Sequence, residues 1–305
     1  VRILFITATR LGDAVLSTGL LDHLLRQYPD ARVTVACGSV AAGIFARMPR
    51  LERLIIVEKR RFDRHWADLW LACIGTRWDL AVDLRGSALT LLLRARRRAI
   101  MRGGRRPGPR LAHLAGALGL TTPPMPVAWT DPADRACAAA LLPSGGPLIG
   151  LGPTANWAGK IWPPDRFVAL FDALAATIPG ARAVIFGGPG AQEAGFAAPV
   201  RAALPAAIDL TGQLSLAEAA ACLARCALFI GNDSGLMHLA ASTGAPTLGL
   251  FGPTPASEYA PAGQMTAVAL ADGPPGAAPM EALPVRTALH AATQLLARAA
   301  AMPAA

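Results

Sequence analysis

Residues 231–255 read GNDSGLMHLAASTGAPTLGLFGPTP. Just before them, residues 227–230 form an apolar run of strand length, closed by Gly231. Asn232, Asp233 and Ser234 all favour the N-cap position, so the spacing predicts a helix starting near Ser234 and a second strand after it. Strand, polar turn, helix and strand in so short a stretch is the winding of a parallel α/β sheet. The first-turn amides of such a helix lack intrahelical partners and carry the positive end of its dipole, and Gly235 offers no Cβ to an approaching ligand. Carboxylate, hydroxyl, amides and the imidazole of His238 one turn on could therefore converge on an anion. An ordinary capped helix with a packed histidine fits the same spacing.

The alternation continues on both sides. In the second half, strands are predicted at 148–151 and 183–186 and helices at 165–177, 216–225 and 284–298. In the first half, strands are predicted at 2–7, 32–37, 54–57 and 80–84 and helices at 13–28 and 64–74. A proline-rich stretch, 121–134, leads towards the join. At 305 residues the chain suits two α/β domains, 1–142 and 143–305, with the last helix free to pack back on the first.

Composition narrows the class. The chain is 53% hydrophobic, yet no uninterrupted apolar stretch is long enough to cross a bilayer. The start, VRILFIT, reads as a first strand and not as a signal peptide, and a cytosolic protein is the expectation. Five scattered cysteines without a CxxC pair are expected as reduced, mostly buried thiols. Residues 1–142 hold 22 Lys+Arg against 11 Asp+Glu, and 143–305 hold 7 against 9, which sums to the net +9. The basic half carries two clusters: Lys59, Arg60, Arg61 and Arg64, then Arg94, Arg96, Arg97, Arg98, Arg102, Arg105, Arg106 and Arg110 with no acid among them. Nucleic acid, an anionic membrane or a polyanionic substrate would each answer such a field, as would a merely solvated arginine face. The absence of interleaved aromatics in the second run argues against single-stranded nucleic acid.

Three loops at predicted strand ends carry further candidates. In the turn Thr7 to Asp13, Asp13 can accept a proton at neutral pH when closely positioned, or simply cap the helix. The loop GLGPTANWAGKIWPP at 150–164 offers Thr154, Asn156 and Lys160, the only lysine of the second half, to a diphosphate. Gly187 to Gly190 could border a nucleotide, although they do not complete a GxGxxG fingerprint. No Asp-x-Asp occurs anywhere in the chain.

RLGDAVLST at 10–18, WDLAVDLRG at 78–86, K-x-W-P at 160–163, and GNDSGLMHLA followed by GAPTLGLFGPTP together resemble glycosyltransferase family nine, whose best-known members are ADP-heptose:lipopolysaccharide heptosyltransferases. The likeness spans nearly the whole chain, and the Asp233-x-Gly235-x-x-His238 block is its most specific part. The resemblance implies a GT-B fold, two Rossmann-like domains facing across a central cleft, the first for the acceptor and the second for the nucleotide sugar. It implies Asp13 as general base in an inverting, metal-independent transfer, with the leaving ADP met by Lys160 and the amides near Ser234 and Gly235. Thr154, Asn156, Gly187, Glu193, Asp233 and His238 would complete the donor site. Glu193 would reach the ribose or stand as an exposed helix glutamate. Thr9, Arg10, Gly12, Lys59, Arg60, Arg61, Arg64 and Arg85 would meet an anionic glycolipid acceptor. No cofactor or metal beyond the ADP-heptose donor is implied, and no nucleic-acid partner. The enzyme would sit peripherally at the cytoplasmic face of the inner membrane. Where the family is often richer in hydroxyls before the lysine, this chain has Asn156, Trp157 and Ala158. A relative using another nucleotide sugar or a protein acceptor, or a non-catalytic anion-binding module, would share many of these features.

Overall fold

The computed structural model describes residues 1–101 and 108–302, so Arg102, Arg105 and Arg106 of the second basic cluster lie outside the described residues. Contacts divide the chain into two units, Val1–Trp129 and Thr130–Ala305. The first runs β1 (Arg2–Ile6), α1 (Leu11–Gln27), β2 (Arg32–Cys37), α2 (Ser39–Phe45), β3 (Leu51–Ile56), α3 (Arg64–Ile74), β4 (Trp78–Asp83), β5 (Ala95–Ile100) and α4 (Arg110–Ala117). Its strands lie in the order β3-β2-β1-β4-β5, all parallel. Strands buried on both faces read as continuous apolar runs, and β1 is buried at every residue after Arg2.

The second unit runs α5 (Pro132–Leu141), β6 (Leu148–Gly152), α6 (Pro164–Ala175), β7 (Arg182–Ile185), α7 (Ala191–Ala203), β8 (Ile208–Asp209) and α8 (Leu216–Leu223). It continues with β9 (Leu228–Asn232), α9 (Gly235–Ser242), β10 (Thr247–Phe251), α10 (Ala256–Tyr259), β11 (Thr266–Leu270) and α11 (Val285–Ala300). The strand order is β11-β10-β9-β6-β7-β8, again parallel throughout. Each sheet therefore reverses its winding beside its first strand: between β1 and β4 in one, between β6 and β9 in the other. In a doubly wound sheet ligands bind outside the carboxyl ends of the strands at that switch point.

Several boundaries differ from the sequence reading. Residues 132–141, placed above within the first domain and not read as a helix, form α5, which packs on α8 in the second unit. Asp131 and Asp134 form a reciprocal capping box around Pro132, so the proline-rich join is also a helix start. Helix α1 begins at Leu11, which puts Asp13 inside its first turn and leaves Arg10 at the N-cap. Strand β3 begins three residues before the predicted 54. The run from Arg94 is in part an edge strand, β5, where exposed arginines discourage pairing with other chains. The last helix, left free above to pack back on the first domain, buries Ala288, Ala292 and Leu295 in the second unit's own core beside Trp162 and Phe167. All five cysteines are unpaired. Burial pushes the Cys37, Cys222 and Cys226 thiols up to about 12 and Cys73 up to about 11, so they stay protonated.

Candidate active site

In the second unit the switch point assembles the loop after β6 and the turn after β9. Ser234 caps α9, its hydroxyl oxygen accepting from the Met237 amide at 3.4 Å. Ser234 and Gly235 are half-buried and His238 is buried on the next turn. Lys160, at the end of a 3-10 turn (Ala158–Lys160), reaches across to this helix start: its ammonium donates to Asp233 Oδ2 at 2.6 Å. Lys160 is 20% and Asp233 8% exposed, which makes the contact a largely desolvated ion pair. A cation and a helix N-terminus thus sit together beside the carboxyl ends of β6 and β9, the combination that receives phosphates.

Asn232, which the sequence reading treated only as a capping residue, holds this arrangement. Its carbonyl oxygen accepts from the Trp162 amide at 3.0 Å, and its amide donates to the Gly152 and Thr154 carbonyls at 3.4 and 3.5 Å. One buried side chain therefore clips both ends of the loop that carries Lys160. The Trp162 indole anchors the same end by donating to the Leu283 carbonyl at 2.9 Å. Asn232→Ala leaves these buried groups without their partner, at a cost of about 1–3 kcal/mol. The expected result is a lowered unfolding midpoint, measured by urea titration.

The remaining donor-side candidates fall into place unevenly. Thr154 is buried, its methyl close to Gly187, where an added Cβ would also come within 2.9 Å of Thr211. Only a glycine fits there without a shift. Thr211 itself escaped the sequence reading. Asn156 is exposed on the loop. Glu193 folds back, Oε2 accepting from the Gly188 amide at 3.0 Å, so it is half-buried against the loop after β7 and not a freely exposed helix glutamate.

In the first unit Asp13 stands at the carboxyl end of β1, paired with Arg110: Oδ1 accepts from the guanidinium Nε at 3.1 Å. The pair spans 97 positions, and no spacing in the chain announces it. Thr9 is held close to Gly38, where a Cβ would meet the Thr9 backbone at 2.7 Å. Arg60 pairs with Asp68 at 2.9 Å, while Lys59, Arg61 and Arg64 are exposed. Between them Phe62 and Asp63 both have positive φ, 58° and 52°, a conformation that non-glycine residues adopt at a cost. The basic loop is thus a strained turn. Among the described residues no three His, Cys, Asp or Glu side chains gather as metal ligands, and no helix is long and apolar enough to cross a membrane.

The family model for glycosyltransferase family 9 (heptosyltransferase) matches residues 108–280, more than half of the chain. The chain belongs to glycosyltransferase family 9. Lipooligosaccharide heptosyltransferase 2 of Haemophilus influenzae is 26% identical over 301 residues, 85% of each chain. The family 9 glycosyl transferase of Veillonella parvula superposes with a TM-score of 0.82 at 21% identity, covering 97% of both chains. The E. coli ADP-heptose lipopolysaccharide heptosyltransferase II superposes at 0.78 and 21% identity, covering 99% of this chain and all of that one. The two parallel α/β units are those of the GT-B fold, and the protein is a glycosyltransferase. The segment matched to family 9 contains the Lys160 loop, Asn232, Asp233 and the cap of α9, and its first residues include Arg110.

Proposed function

We propose that this glycosyltransferase moves heptose from ADP-heptose to a lipopolysaccharide core acceptor, inverting the anomeric centre without a metal ion. The observation that carries the reading is the Lys160–Asp233 pair 2.6 Å apart beside the Ser234-capped start of α9, at the switch point of the second sheet. The diphosphate of the donor takes its place there, exchanging the Asp233 carboxylate for phosphate oxygens on the Lys160 ammonium. As the glycosidic bond to ADP breaks, charge builds on the departing phosphate, and a fixed cation with helix amides stabilises it. These groups supply what carboxylate-held metals supply in Asp-x-Asp transferases, a motif this sequence lacks. Thr154, Asn156, Gly187, Glu193 and His238 are assigned to the same donor.

The first unit takes the acceptor. Asp13 accepts the proton of the acceptor hydroxyl as that oxygen attacks the anomeric carbon from the face opposite ADP, while the basic residues 59–64 and Arg85 meet acidic groups of the glycolipid. The relatives' names, lipooligosaccharide and lipopolysaccharide heptosyltransferases, support this choice of donor and acceptor. The reaction then takes place at the cytoplasmic face of the inner membrane, with the enzyme held there peripherally.

A thermal-shift screen of ADP, ADP-heptose, UDP-sugars and GDP-sugars tests the reading. Saturating ADP-heptose should stabilise the protein by about 3 kcal/mol at a hundred times its Kd. Turnover on lipid-linked core acceptors should follow and should persist in EDTA. A preference for UDP- or GDP-sugars, or loss of turnover in EDTA, would reject it.

A further inference from the structure

Beyond β4 the first unit presents a surface that sugar transfer alone does not account for. Asp83, buried at the end of the strand, accepts from the Arg85 amide at 2.9 Å and from the Ser87 amide and hydroxyl at 2.9 and 2.6 Å. This carboxylate closes a turn at Gly86, whose φ is 66°. The turn lays the Arg85 guanidinium over the Trp66 ring, 4.9 Å from its centroid. Beside that stack is an open cavity of about 710 Å³, walled chiefly by Trp66, Trp70, Leu89 and Leu92.

The chain that follows is a 3-10 turn (Ala88–Leu92) inside the sequence RGSALTLLLRARRR, residues 85–98, with five arginines and no acid. Leu89 and Leu93 enter the core, but Leu91 and Leu92 are 63% and 68% exposed, and Leu71 on the adjoining α3 is 65% exposed. These leucines are held outward by specific bonds. The Arg98 guanidinium donates to the Thr90, Leu93 and Ala95 carbonyls at 2.9, 2.6 and 2.9 Å, and the Trp70 indole donates to the Leu92 carbonyl at 3.4 Å. An exposed apolar ridge, two tryptophans at its edge and an adjoining arginine run, 94–98, that contains no acid are the chemistry of a bilayer interface.

We propose that this face docks on an anionic phospholipid bilayer, an acyl chain entering the Trp66–Trp70 cavity while lipid phosphates meet the exposed Arg94 and Arg96 of the run that follows. The proposal rests on the reading above, that the acceptor is an anionic glycolipid held in a membrane. Charge complementarity selects the occupant: an apolar ridge alone would suit many partners, but one flanked by an arginine run that contains no acid suits a surface that is apolar within and anionic at its boundary.

Flotation of the full chain with vesicles of phosphatidylglycerol in phosphatidylcholine, against phosphatidylcholine alone, tests it. Binding is expected to the anionic vesicles, and phosphatidylcholine brominated along its chains should quench the tryptophan emission on binding. Leu91→Glu with Leu92→Glu, both exposed positions, should weaken vesicle binding by about 100-fold. The same variant should keep the thermal shift with ADP and turnover on a delipidated core acceptor. Unchanged binding by the double variant, or binding by the natural sequence without quenching, overturns the proposal. So does failure of the natural sequence to bind anionic vesicles, which would assign the face to a protein partner. Vesicle binding that behaves as expected in a protein that turns over no ADP-sugar upholds the docking face and rejects the transfer reaction assigned above.

Discussion

Asp13→Asn should lower turnover by about 10²–10⁴-fold, the range for loss of a general base, with ADP affinity unchanged. The substitution is chosen for what it preserves. An asparagine side chain would keep the size of the aspartate and an oxygen for the Arg110 Nε, which now lies 3.1 Å from Oδ1. It would lose only the charge and with it the capacity to take a proton. Asp13→Ala removes the oxygen as well, and the difference between the two variants measures what the Arg110 contact contributes. Full activity in Asp13→Asn would show that the residue aligns the first turn of α1 and does not act as the base. Intact ADP binding, read by calorimetry, distinguishes loss of chemistry from loss of fold.

Lys160→Ala should act on two quantities at once. It strands the Asp233 carboxylate, only 8% exposed, so unfolding free energy should fall by about 3–5 kcal/mol. It also removes the cation assigned to the leaving diphosphate, costing about 10²–10³-fold in turnover. Adding Asp233→Asn to Lys160→Ala should restore most of the stability, because no buried charge is then left without its partner. Turnover should stay low in the double variant. Recovery of activity along with stability would mean that Lys160 serves the fold and not the leaving group.

How far the amino-acid sequence discloses this molecule depends on the kind of interaction. Buried parallel strands such as β9 and β10 announce themselves, since both faces are apolar and each is closed by glycine and capping residues. The cap at Ser234 is equally visible, being local. Strand β5 is not, because Ala95-Arg96-Arg97-Arg98 reads as a charge run when only one edge of the strand is paired. Helix α7 is legible only around Glu193, because Gly195 and Pro199 inside it blur its extent. The site's decisive contacts are long-range: Lys160 to Asp233 across 73 positions, Asp13 to Arg110 across 97, Asn232 back to Gly152 and Thr154. Only topology brings such residues together, so each could be nominated from the chain but not paired. Asp83 was quoted within a motif, yet its work of shaping the Arg85 turn follows from burial beside three donors.

The strand order of the second sheet bears on how the protein acquires its activity during synthesis. β6, β7 and β8 are consecutive neighbours, but the other side of β6 stays open until β9 has emerged, when Ile149 pairs with Leu228 and Gly152 with Gly231. Such non-local parallel pairing is among the slower events of folding and leaves an apolar strand edge exposed meanwhile. The Asn232 clip and the Lys160–Asp233 contact form only with that pairing. A nucleotide held by these groups, as proposed above, would recognise only chains that have completed the step, and its presence during refolding would draw the population across it by mass action.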